Sequence, residues 1–471
     1  MAMHSGVAIV PAIALVAVSM WYRPATPSSA SQKAARGRAQ RIQKRIHGGG
    51  FSGTKSLSMI QLKPELKQQV SVEMEQTPYT PAFEQLRMPG AGSGAASGCP
   101  HQAEQIAGRA RGGVGGIVKV ALGNLVAPKG GSYLLSDSAN LGSLTVASGA
   151  ELVVAPNVDL SLRALYVEGL GGTLRMGSAT CPLSGVTVTF TGAGDKGARS
   201  SNPLETKGLV VGDGGLLEVF GVRYAPTWTR LSAQAQAGSS TLQLMDEVDW
   251  QVGQQIVVIT TAWTDDPDDH QNEVREITAV TISEPLQHDH YGGPEYFAEV
   301  ALLSRSITFQ GDEASEGSRY GGHFMCMGSA VCRVAGVLAY RMGQENVMGR
   351  YAFHFHMMGD VAGESFFEDN AVRHSFFRAF TIHGTSSSRA SRNVAYDVSG
   401  SAYYLEDGIE ENNLFDYNLA ARVRIIDQLS DYGGGGQGGG VTVHTQPSRI
   451  VPTDATAVGF YCTNAKNRLG V

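Results

Sequence analysis

A recurring asparagine is the feature of this sequence that most restricts its fold. Asn370, Asn393 and Asn413 are each followed by a short apolar stretch, and the intervals between them are 23 and 20 residues. Such an interval is the length of one coil in a parallel β-helix, where each coil stacks its residues on those of the coil before. Because an asparagine amide can bond to the next one along such a stack and tolerates the backbone of a bend, we predict that these three residues form an internal structural ladder.

The body of the chain consists of short strand-like runs. From about Ile117 onward, runs such as Leu144–Val146, Glu151–Val154 and Val186–Phe190 are separated by Gly or Pro every several residues. The 59 glycines follow no Gly-X-Y period, which excludes a collagen. Strands this short and this dense indicate a sandwich, a barrel or a β-solenoid. Together with the asparagine repeat, they predict an all-β protein built around a right-handed parallel β-helix.

The first 115 residues differ from the rest. Residues 7–20 form an apolar run that suits the core of a signal peptide and is short for a membrane span. We expect a signal peptide or a signal-anchor over residues 1–30. A low-complexity linker follows over residues 31–115, first basic and then rich in Gly, Ala, Ser and Pro. Such a leader directs the chain into the secretory pathway and to the outside or the surface of the cell; an organelle reached through a bipartite leader is the alternative.

The distribution of charge restricts the partners of the chain. No Asp or Glu precedes Glu65, whereas nine Lys and Arg residues lie between Arg23 and Lys63. The remaining chain holds 28 of the 37 basic residues and all 43 acidic ones, so its formal charge is −15. An acidic body repels nucleic acid at long range, which argues against a nucleic-acid partner. Contact with a membrane is expected only through the N-terminal segment, if that segment is retained.

Several motifs carry a family resemblance. The runs Leu162–Gly177 and Val186–Gly192 are similar to the second half of a G8 domain. Further on, Gly214–Gly221 and Val248–Val258 are similar to the strands that follow this domain in its relatives. The stretch Gly349-Arg-Tyr-Ala-Phe-His-Phe-His-Met-Met-Gly-Asp360 resembles the β-helix signature of the same family.

Over about residues 130–471, the chain thus resembles the G8-domain family, which includes cell-surface hyaluronidases and fibrocystin-like proteins. The resemblance implies a G8-like β domain over residues 116–225, a linking β segment over 226–300 and a parallel β-helix over 301–471. Relatives continue with further coils, so we expect the β-helix to be truncated at its C-terminal end. Because some relatives cut hyaluronan in a calcium-associated way, the resemblance also implies Ca²⁺ as a cofactor and a polysaccharide or other glycan as the partner.

A column of ionisable residues is the best candidate for chemistry. His354 and His356 alternate on a predicted strand and therefore share one face. His383 follows His356 by 27 residues and Asp407 follows His383 by 24, about one coil each. With Glu406, these groups would line one face of successive coils, either as a metal site or as the acid and base of glycan cleavage. Packing as hydrogen-bonded ladder residues is the competing interpretation.

The remaining candidates extend this site. We expect Arg350, Asp360 and Tyr404 to contact substrate, and Asp360 and Asp407 to ligate a metal ion. Two functions follow from these residues and the resemblance. One is an extracellular or cell-surface glycan-depolymerising protein of hyaluronidase-like type that acts on a β-helix face. The other is a non-catalytic glycan-binding or adhesion module of fibrocystin-like type. The density of ionisable groups on one solenoid face favours the enzyme.

Three other features have structural explanations. Cys326 and Cys332 are close enough in sequence for a local disulfide, although two buried thiols explain them as well. The segment Gly433–Gly440 has no nucleotide-binding context and is predicted to be a flexible surface insertion. An acidic loop matches no EF-hand spacing, and we interpret it as a solvated loop rather than a calcium site. The members of that loop are Asp265, Asp266, Asp268, Asp269 and His270.

Overall fold

The computed structural model describes residues 99–101, 118–120, 123–193, 202–263, 269–279, 281–345, 347–426 and 457–470. The predicted leader and most of the predicted linker lie outside these residues. So do Asp265, Asp266 and Asp268 of the acidic loop and the whole of Gly433–Gly440. In the part of the chain that is described, no helix is long and apolar enough to cross a membrane.

The described body is a parallel β-helix, as predicted, in which each coil contributes one strand to each of three sheets in turn. The strands that precede a large insertion are, in chain order, β1 (Val118–Val120), β2 (Asn124–Ala127), β3 (Ser132–Leu135), β4 (Ala139–Asn140), β5 (Ser143–Val146), β6 (Glu151–Val154), β7 (Asp159–Leu162), β8 (Ala164–Val167), β9 (Thr173–Met176), β10 (Val186–Phe190), β11 (Gly208–Val211) and β12 (Leu216–Phe220).

The insertion forms a separate sheet before the coils resume. Its strands are β13 (Trp228–Arg230), β14 (Gln255–Val258), β15 (Glu273–Thr278), β16 (Thr281–Ile282) and β17 (Glu299–Leu302). The coils then continue with β18 (Ile307–Gly311), β19 (His323–Met327), β20 (Val331–Ala335), β21 (Val337–Tyr340), β22 (Phe353–Asp360), β23 (Phe366–Glu368), β24 (Ala371–Ser375), β25 (Phe380–Ser386), β26 (Arg389–Ser391), β27 (Val394–Ser399), β28 (Ser401–Leu405), β29 (Leu414–Asp416), β30 (Leu419–Arg424), β31 (Val458–Tyr461) and β32 (Arg468–Leu469). Among the described residues, two short helical turns interrupt the coils, a 3₁₀ turn at Pro203–Glu205 and α1 at Ala314–Ser318.

The three solenoid sheets run without a break from the first coils to the last. Sheet 1 has the order β1-β2-β5-β8-β11-β19-β22-β25-β28-β31, sheet 2 the order β3-β6-β9-β12-β20-β23-β26-β29-β32 and sheet 3 the order β4-β7-β10-β18-β21-β24-β27-β30. The G8-like region meets the later region by parallel pairing of β11 with β19, β12 with β20 and β10 with β18. The two regions therefore form one continuous stack.

The inserted strands form an antiparallel sheet of order β13-β17-β14-β15-β16 that packs on the outer face of sheet 3. Val257 and Ala301 of the inserted sheet share an apolar cluster with Val394 of β27. The indole Nε1 of Trp228 donates to the carbonyl oxygen of Tyr417 at 2.9 Å. These contacts fix the linking segment against the β-helix and leave the outer face of sheet 1 uncovered by it.

Aromatic side chains stack from coil to coil inside the β-helix. Parallel register places Phe353, Phe380, Tyr403 and Phe460 above one another. Successive ring centroids are 5.3, 5.1 and 4.7 Å apart, with nearly parallel ring planes. Because every coil repeats the same inward positions, one apolar column serves several coils at once.

Phe380→Ala should test this column. The ring is fully buried, so its removal leaves a cavity and should lower the free energy of unfolding by about 3–5 kcal/mol. Phe460→Ala is the matched control, because that ring is 41% exposed and its loss should cost clearly less. Urea unfolding monitored by circular dichroism measures both. Equal losses in the two variants would contradict a continuous interior column.

The asparagines form two ladders rather than the predicted one. Nδ2 of Asn370 donates to Oδ1 of Asn393 at 3.1 Å, and Nδ2 of Asn393 donates to Oδ1 of Asn418 at 3.1 Å. Asn413 belongs to a second ladder, in which its Nδ2 donates to Oδ1 of Asn467 at 3.0 Å. The prediction that Asn413 continues the first ladder was wrong, because it precedes a sheet 2 strand whereas Asn370 and Asn393 precede sheet 3 strands.

The described cysteines are largely paired. Cys326 and Cys332 form a disulfide that joins β19 to β20, which decides between the bridge and the two thiols left open by the sequence. A second disulfide links Cys99 to Cys181. Cys462 is a free, exposed thiol.

A histidine on β24 lies between two carboxylates. Nδ1 of His374 contacts the carboxylate of Asp397 on β27, and its Nε2 lies 2.7 Å from that of Glu316 on α1. The hydrogen bond to Asp397 raises the pKa of His374, burial opposes it and Glu316 adds to it. Asp397 also pairs with Arg424 at 2.8 Å, and its own pKa is lowered, so it stays ionised.

The stability of the protein should therefore depend on pH through His374. A group whose pKa is raised by folding stabilises fully below its unfolded pKa of about 6.5. That contribution is lost as the pH rises through the folded pKa. We expect the free energy of unfolding to fall as pH rises above about 6.5, and to fall less in His374→Gln. Urea unfolding across a pH series measures this, with His288→Ala, in the loop between β16 and β17, as control. Equal slopes for wild type and His374→Gln would rule the effect out.

Candidate functional site

Strands β22 and β25 lie side by side in sheet 1 and carry the candidate site on the outer face of that sheet. On β22, Phe353 and Phe355 belong to the core, so the alternating His354 and His356 point outward. In the parallel register, His356 is opposite His383 of β25. The 27-residue interval seen in the sequence is therefore one coil in the structure.

The three imidazoles form a compact group. Nδ1 of His356 lies 3.1 Å from Nδ1 of His383. One nitrogen from each of the three rings, His354 included, lies within 4.8 Å of the other two. The ring of His354 is parallel to that of His383 within 7°, with centroids 5.9 Å apart. Among the described residues, these three histidines are the group of His, Cys, Asp or Glu side chains that lie close enough together to share one metal ion.

His354 is fully buried and held in one tautomer. Its Nδ1 lies 3.0 Å from the carbonyl oxygen of Gly349 and must donate a hydrogen to it. Nε2 therefore carries a lone pair, and this buried atom has no hydrogen-bond partner among the described residues. Burial, with smaller effects of His356 and His383, holds the pKa of His354 well below its ordinary value. The ring is neutral at physiological pH.

His356 is half-buried and also neutral. Burial lowers its pKa to about 4; His383 and Arg350 act in the same direction and Asp407 acts against them. The strand bulges directly after it, because the register shifts between His356 and Gly359. Bulges of this kind re-aim side chains next to functional sites.

The bulge requires particular residues. Met357 adopts a left-handed φ of 52°, which a non-glycine side chain takes only at some cost. On the neighbouring strand, a Cβ at Gly384 would lie 2.5 Å from Sδ of Met357. Glycine at position 384 therefore leaves room for the bulge and keeps His356 opposite His383.

A carboxylate orients the third imidazole. Nε2 of His383 lies 2.8 Å from Oδ2 of Asp407, so Nε2 donates to the carboxylate. Nδ1 of His383 is then the nitrogen that faces His356. The Asp407 side chain is 43% exposed and that of His383 is 19% exposed, so solvent and a ligand can reach this pair.

Glu406 is held by an adjacent buried network. Its Oε2 lies 3.9 Å from Nδ1 of His383. The hydroxyl of Tyr351 donates to its Oε1 at 3.2 Å, and Nη1 of Arg378 lies 3.3 Å from the same oxygen. Arg378 is fully buried, and its Nη1 also donates to the hydroxyl of Tyr351 at 2.8 Å. Glu406 is thus positioned beside the imidazoles with a compensating positive charge behind it.

The predicted substrate contacts occupy other environments. Nη1 of Arg350 donates to Nε2 of His323 at 3.0 Å. Oδ1 of Asp360 accepts from the backbone N–H of Ala362 at 2.9 Å and so closes a turn beyond the bulge. Tyr404 is 2% exposed. The structure therefore brings Arg350 close to the imidazoles, whereas Asp360 caps a turn and Tyr404 lies inside a packed cluster.

Tyr404 is covered on both ring faces. Its ring centroid lies 3.9 Å from the guanidinium carbon of Arg378, and it is stacked on Tyr461 of the next coil at 4.6 Å. A cation–π contact and a stacked pair support packing rather than ligand contact.

Sequence reasoning missed Tyr351 and Arg378. Their spacing in the sequence could have revealed them, since Arg378 follows Tyr351 by 27 residues, the same interval that separates His356 from His383. His323 was missed as well, because it lies on β19, one coil before the motif that drew attention.

The residues at this site fit Ca²⁺ poorly. Ca²⁺ takes six to eight oxygen ligands, whereas the group close enough to share an ion consists of three nitrogens. Asp360 and Asp407 were predicted as ligands. However, Asp360 bonds to the backbone of Ala362 and Asp407 to the ring of His383, so the two carboxylates belong to different networks.

Removal of the buried cation tests the network around Glu406. Arg378→Met leaves the Glu406 carboxylate without its positive partner and should lower the free energy of unfolding by about 3–5 kcal/mol. The double variant Arg378→Met/Glu406→Gln should be less destabilised than the single Arg378→Met variant, since the uncompensated charge is gone. Urea unfolding of both variants measures this. A double variant no more stable than Arg378→Met would refute the ion pair.

Two family models match the chain. Residues 120–232 match the G8 domain and residues 319–470 match the CEMIP beta-helix. A G8 domain-containing protein of Dictyostelium discoideum is 37% identical over 358 residues, which cover 73% of this chain and 31% of the relative. Communication mutant protein F of the same organism is 35% identical over 365 residues, covering 75% of this chain and 32% of the relative. The chain thus spans about a third of the length of these relatives.

More distant proteins also match. Fibrocystin-L of Homo sapiens is 26% identical over 398 residues, covering 73% of this chain and 9% of that protein. Among solved structures, the tailspike of Pseudomonas phage phi297 is 10% identical, with a TM-score of 0.17, over 61% of this chain and 48% of that one. A TM-score this low gives the likeness no weight for fold or function.

Proposed function

The chain belongs to the G8-domain proteins that carry a CEMIP-type β-helix, and from that premise we propose that it is an extracellular or cell-surface module that depolymerises a glycan in the manner of a hyaluronidase. The observation that supports this most directly is the convergence of His356, His383, Glu406 and Asp407 on the outer face of sheet 1. A solenoid needs apolar side chains inside its coils, but it needs no ionisable groups on an outer face.

These groups suit cleavage of a glycosidic bond. That reaction needs one group to protonate the leaving oxygen and another to activate water or attack the sugar, and carboxyl groups usually do both. Asp407 is the more accessible carboxylate, and its bond to His383 fixes its orientation. Glu406 lies on the other side of the same imidazole and is positioned by Tyr351 and Arg378. We assign the acid–base roles to Asp407 and Glu406.

The proposed location is supported by chemistry as well as by the family. Two disulfides, Cys99–Cys181 and Cys326–Cys332, are bonds that persist in an oxidising compartment such as the secretory pathway. The long outer face of sheet 1, built from successive coils, matches the shape of a linear polymer.

The charge of the chain bears on which glycan it takes. From Glu65 onward the chain is acidic, with a formal charge of −15, so a polyanion such as hyaluronan is not attracted at long range. Arg350, adjacent to the imidazoles, supplies local positive charge. A substrate panel therefore needs neutral as well as acidic glycans.

A non-catalytic glycan-binding or adhesion module of fibrocystin-like type is the second candidate. It is favoured by the extent to which Glu406 and Tyr404 are engaged in packing and hydrogen bonding with Arg378. In that case, the ionisable cluster stabilises the coils and a glycan binds without being cut.

Chain-length analysis of glycans separates the two candidates. The full chain is incubated with hyaluronan, chondroitin, pectin and a neutral glucan, and the products are sized by gel filtration. We expect shortening of one glycan by wild type, and a loss of at least about 100-fold in rate in Asp407→Asn, since positioned acids and bases contribute about 10²–10⁴-fold.

His288→Ala, in the loop between β16 and β17, is the control that should retain the rate. Circular dichroism confirms that each variant is folded. A folded wild-type protein that binds a glycan without shortening any would support the adhesion module and reject the enzyme.

A further inference from the structure

We propose that His354, His356 and His383 bind one Zn²⁺-type transition-metal ion on the outer face of sheet 1. This goes beyond the proposed function, because a metal can be measured there whether or not a glycan is cut. It also departs from the Ca²⁺ that the family resemblance implies.

The separation of the nitrogens suits such an ion. Zn²⁺ binds imidazole nitrogen at about 2.0–2.1 Å with tetrahedral angles, which places two ligating nitrogens about 3.3 Å apart. The Nδ1 atoms of His356 and His383 are 3.1 Å apart. The third nitrogen, from His354, lies within 4.8 Å of both, so a small inward movement completes the set.

Hydrogen bonds on the far side of two rings direct their lone pairs inward. His354 donates through Nδ1 to the carbonyl of Gly349, which leaves Nε2 as an acceptor. His383 donates through Nε2 to Asp407, which leaves Nδ1 as an acceptor. A carbonyl or carboxylate behind a ligating imidazole is the usual arrangement in metal sites, where it fixes the tautomer and orients the ring.

The buried nitrogen of His354 is the second, independent sign of a ligand. Nε2 is inaccessible to solvent and has no hydrogen-bond partner among the described residues. Buried polar atoms in proteins are almost always bonded, and exceptions call for an explanation such as a bound ion. A metal ion held with His356 and His383 gives this lone pair its partner.

The donor set selects the type of metal. Three imidazole nitrogens suit Zn²⁺ and its neighbours in the first transition row, whereas Ca²⁺ and Mg²⁺ require oxygen ligands. Three protein ligands leave one coordination position open. Glu406 is the carboxylate beside this donor set, with its Oε2 3.9 Å from Nδ1 of His383.

Metal content and affinity test the proposal. The purified full chain is stripped with a chelator and dialysed, and Zn²⁺ binding is followed by titration calorimetry and elemental analysis. We expect one tightly bound Zn²⁺ per chain, unaffected by a large excess of Ca²⁺. Substitution with Co²⁺ should give the visible absorption of a low-coordinate nitrogen-ligated ion.

Variants locate the ion. His383→Ala and His356→Ala should each weaken Zn²⁺ binding by more than about 100-fold, and Asp407→Asn should weaken it by about 10-fold, because it removes only the orienting carboxylate. His288→Ala should bind as wild type does. Because His356 and His383 are only partly buried, these variants are expected to fold, and circular dichroism checks this.

The proposal is overturned if the folded wild-type chain binds no Zn²⁺. It is also overturned if binding survives both histidine substitutions, or if Ca²⁺ displaces the ion. A chain that binds Zn²⁺ as described but shortens no glycan would reject the proposed enzyme and leave the metal site standing. A chain that shortens a glycan but binds no Zn²⁺ would reject the metal site and leave the proposed enzyme standing.

Discussion

Parallel pairing between successive coils is the constraint on which both the core and the candidate site depend. The pairing of β22 with β25 places Phe353 on Phe380 inside the solenoid and His356 on His383 outside it. A slip of one residue would exchange the two faces of the strand and lose both stacks together. The apolar column and the imidazole group are therefore two consequences of a single register, which the bulge after His356 adjusts locally.

Segments between strands fold back over the outer face of sheet 1 and bring polar side chains to it. Tyr351 and Arg378 come from such segments, and they form a network with Glu406 on the outer side of the sheet. This cover explains how His354 can point away from the core and still be fully buried. Its neutral state follows, since burial penalises the charged form of an imidazole.

Other buried polar groups in the β-helix show how completely such groups can be paired. Nζ of Lys207 contacts Asp312, Ser315 and the carbonyl of Tyr320. The amide of Asn393 links the asparagines above and below it. The open lone pair of His354 lies beside two further imidazoles, and a ligand shared by the three rings explains it better than packing.

Several properties of this protein are determined by the sequence itself. Local intervals predict the coil period, the outward face that His354 and His356 share, and the stacking of His383 on His356. They do so because a strand alternates its side chains and a coil repeats at nearly constant length. The same intervals misplaced Asn413, because coils differ in length and a residue can reach a different corner at a similar spacing. Only the tertiary structure decided that Tyr404 is packed under Arg378, that Asp360 caps a turn, and that the linking segment covers sheet 3 and leaves sheet 1 open. These features arise from contacts between segments. No local sequence pattern specifies the path that such a segment takes over the surface, so packing and the pairing of buried charges determine these contacts.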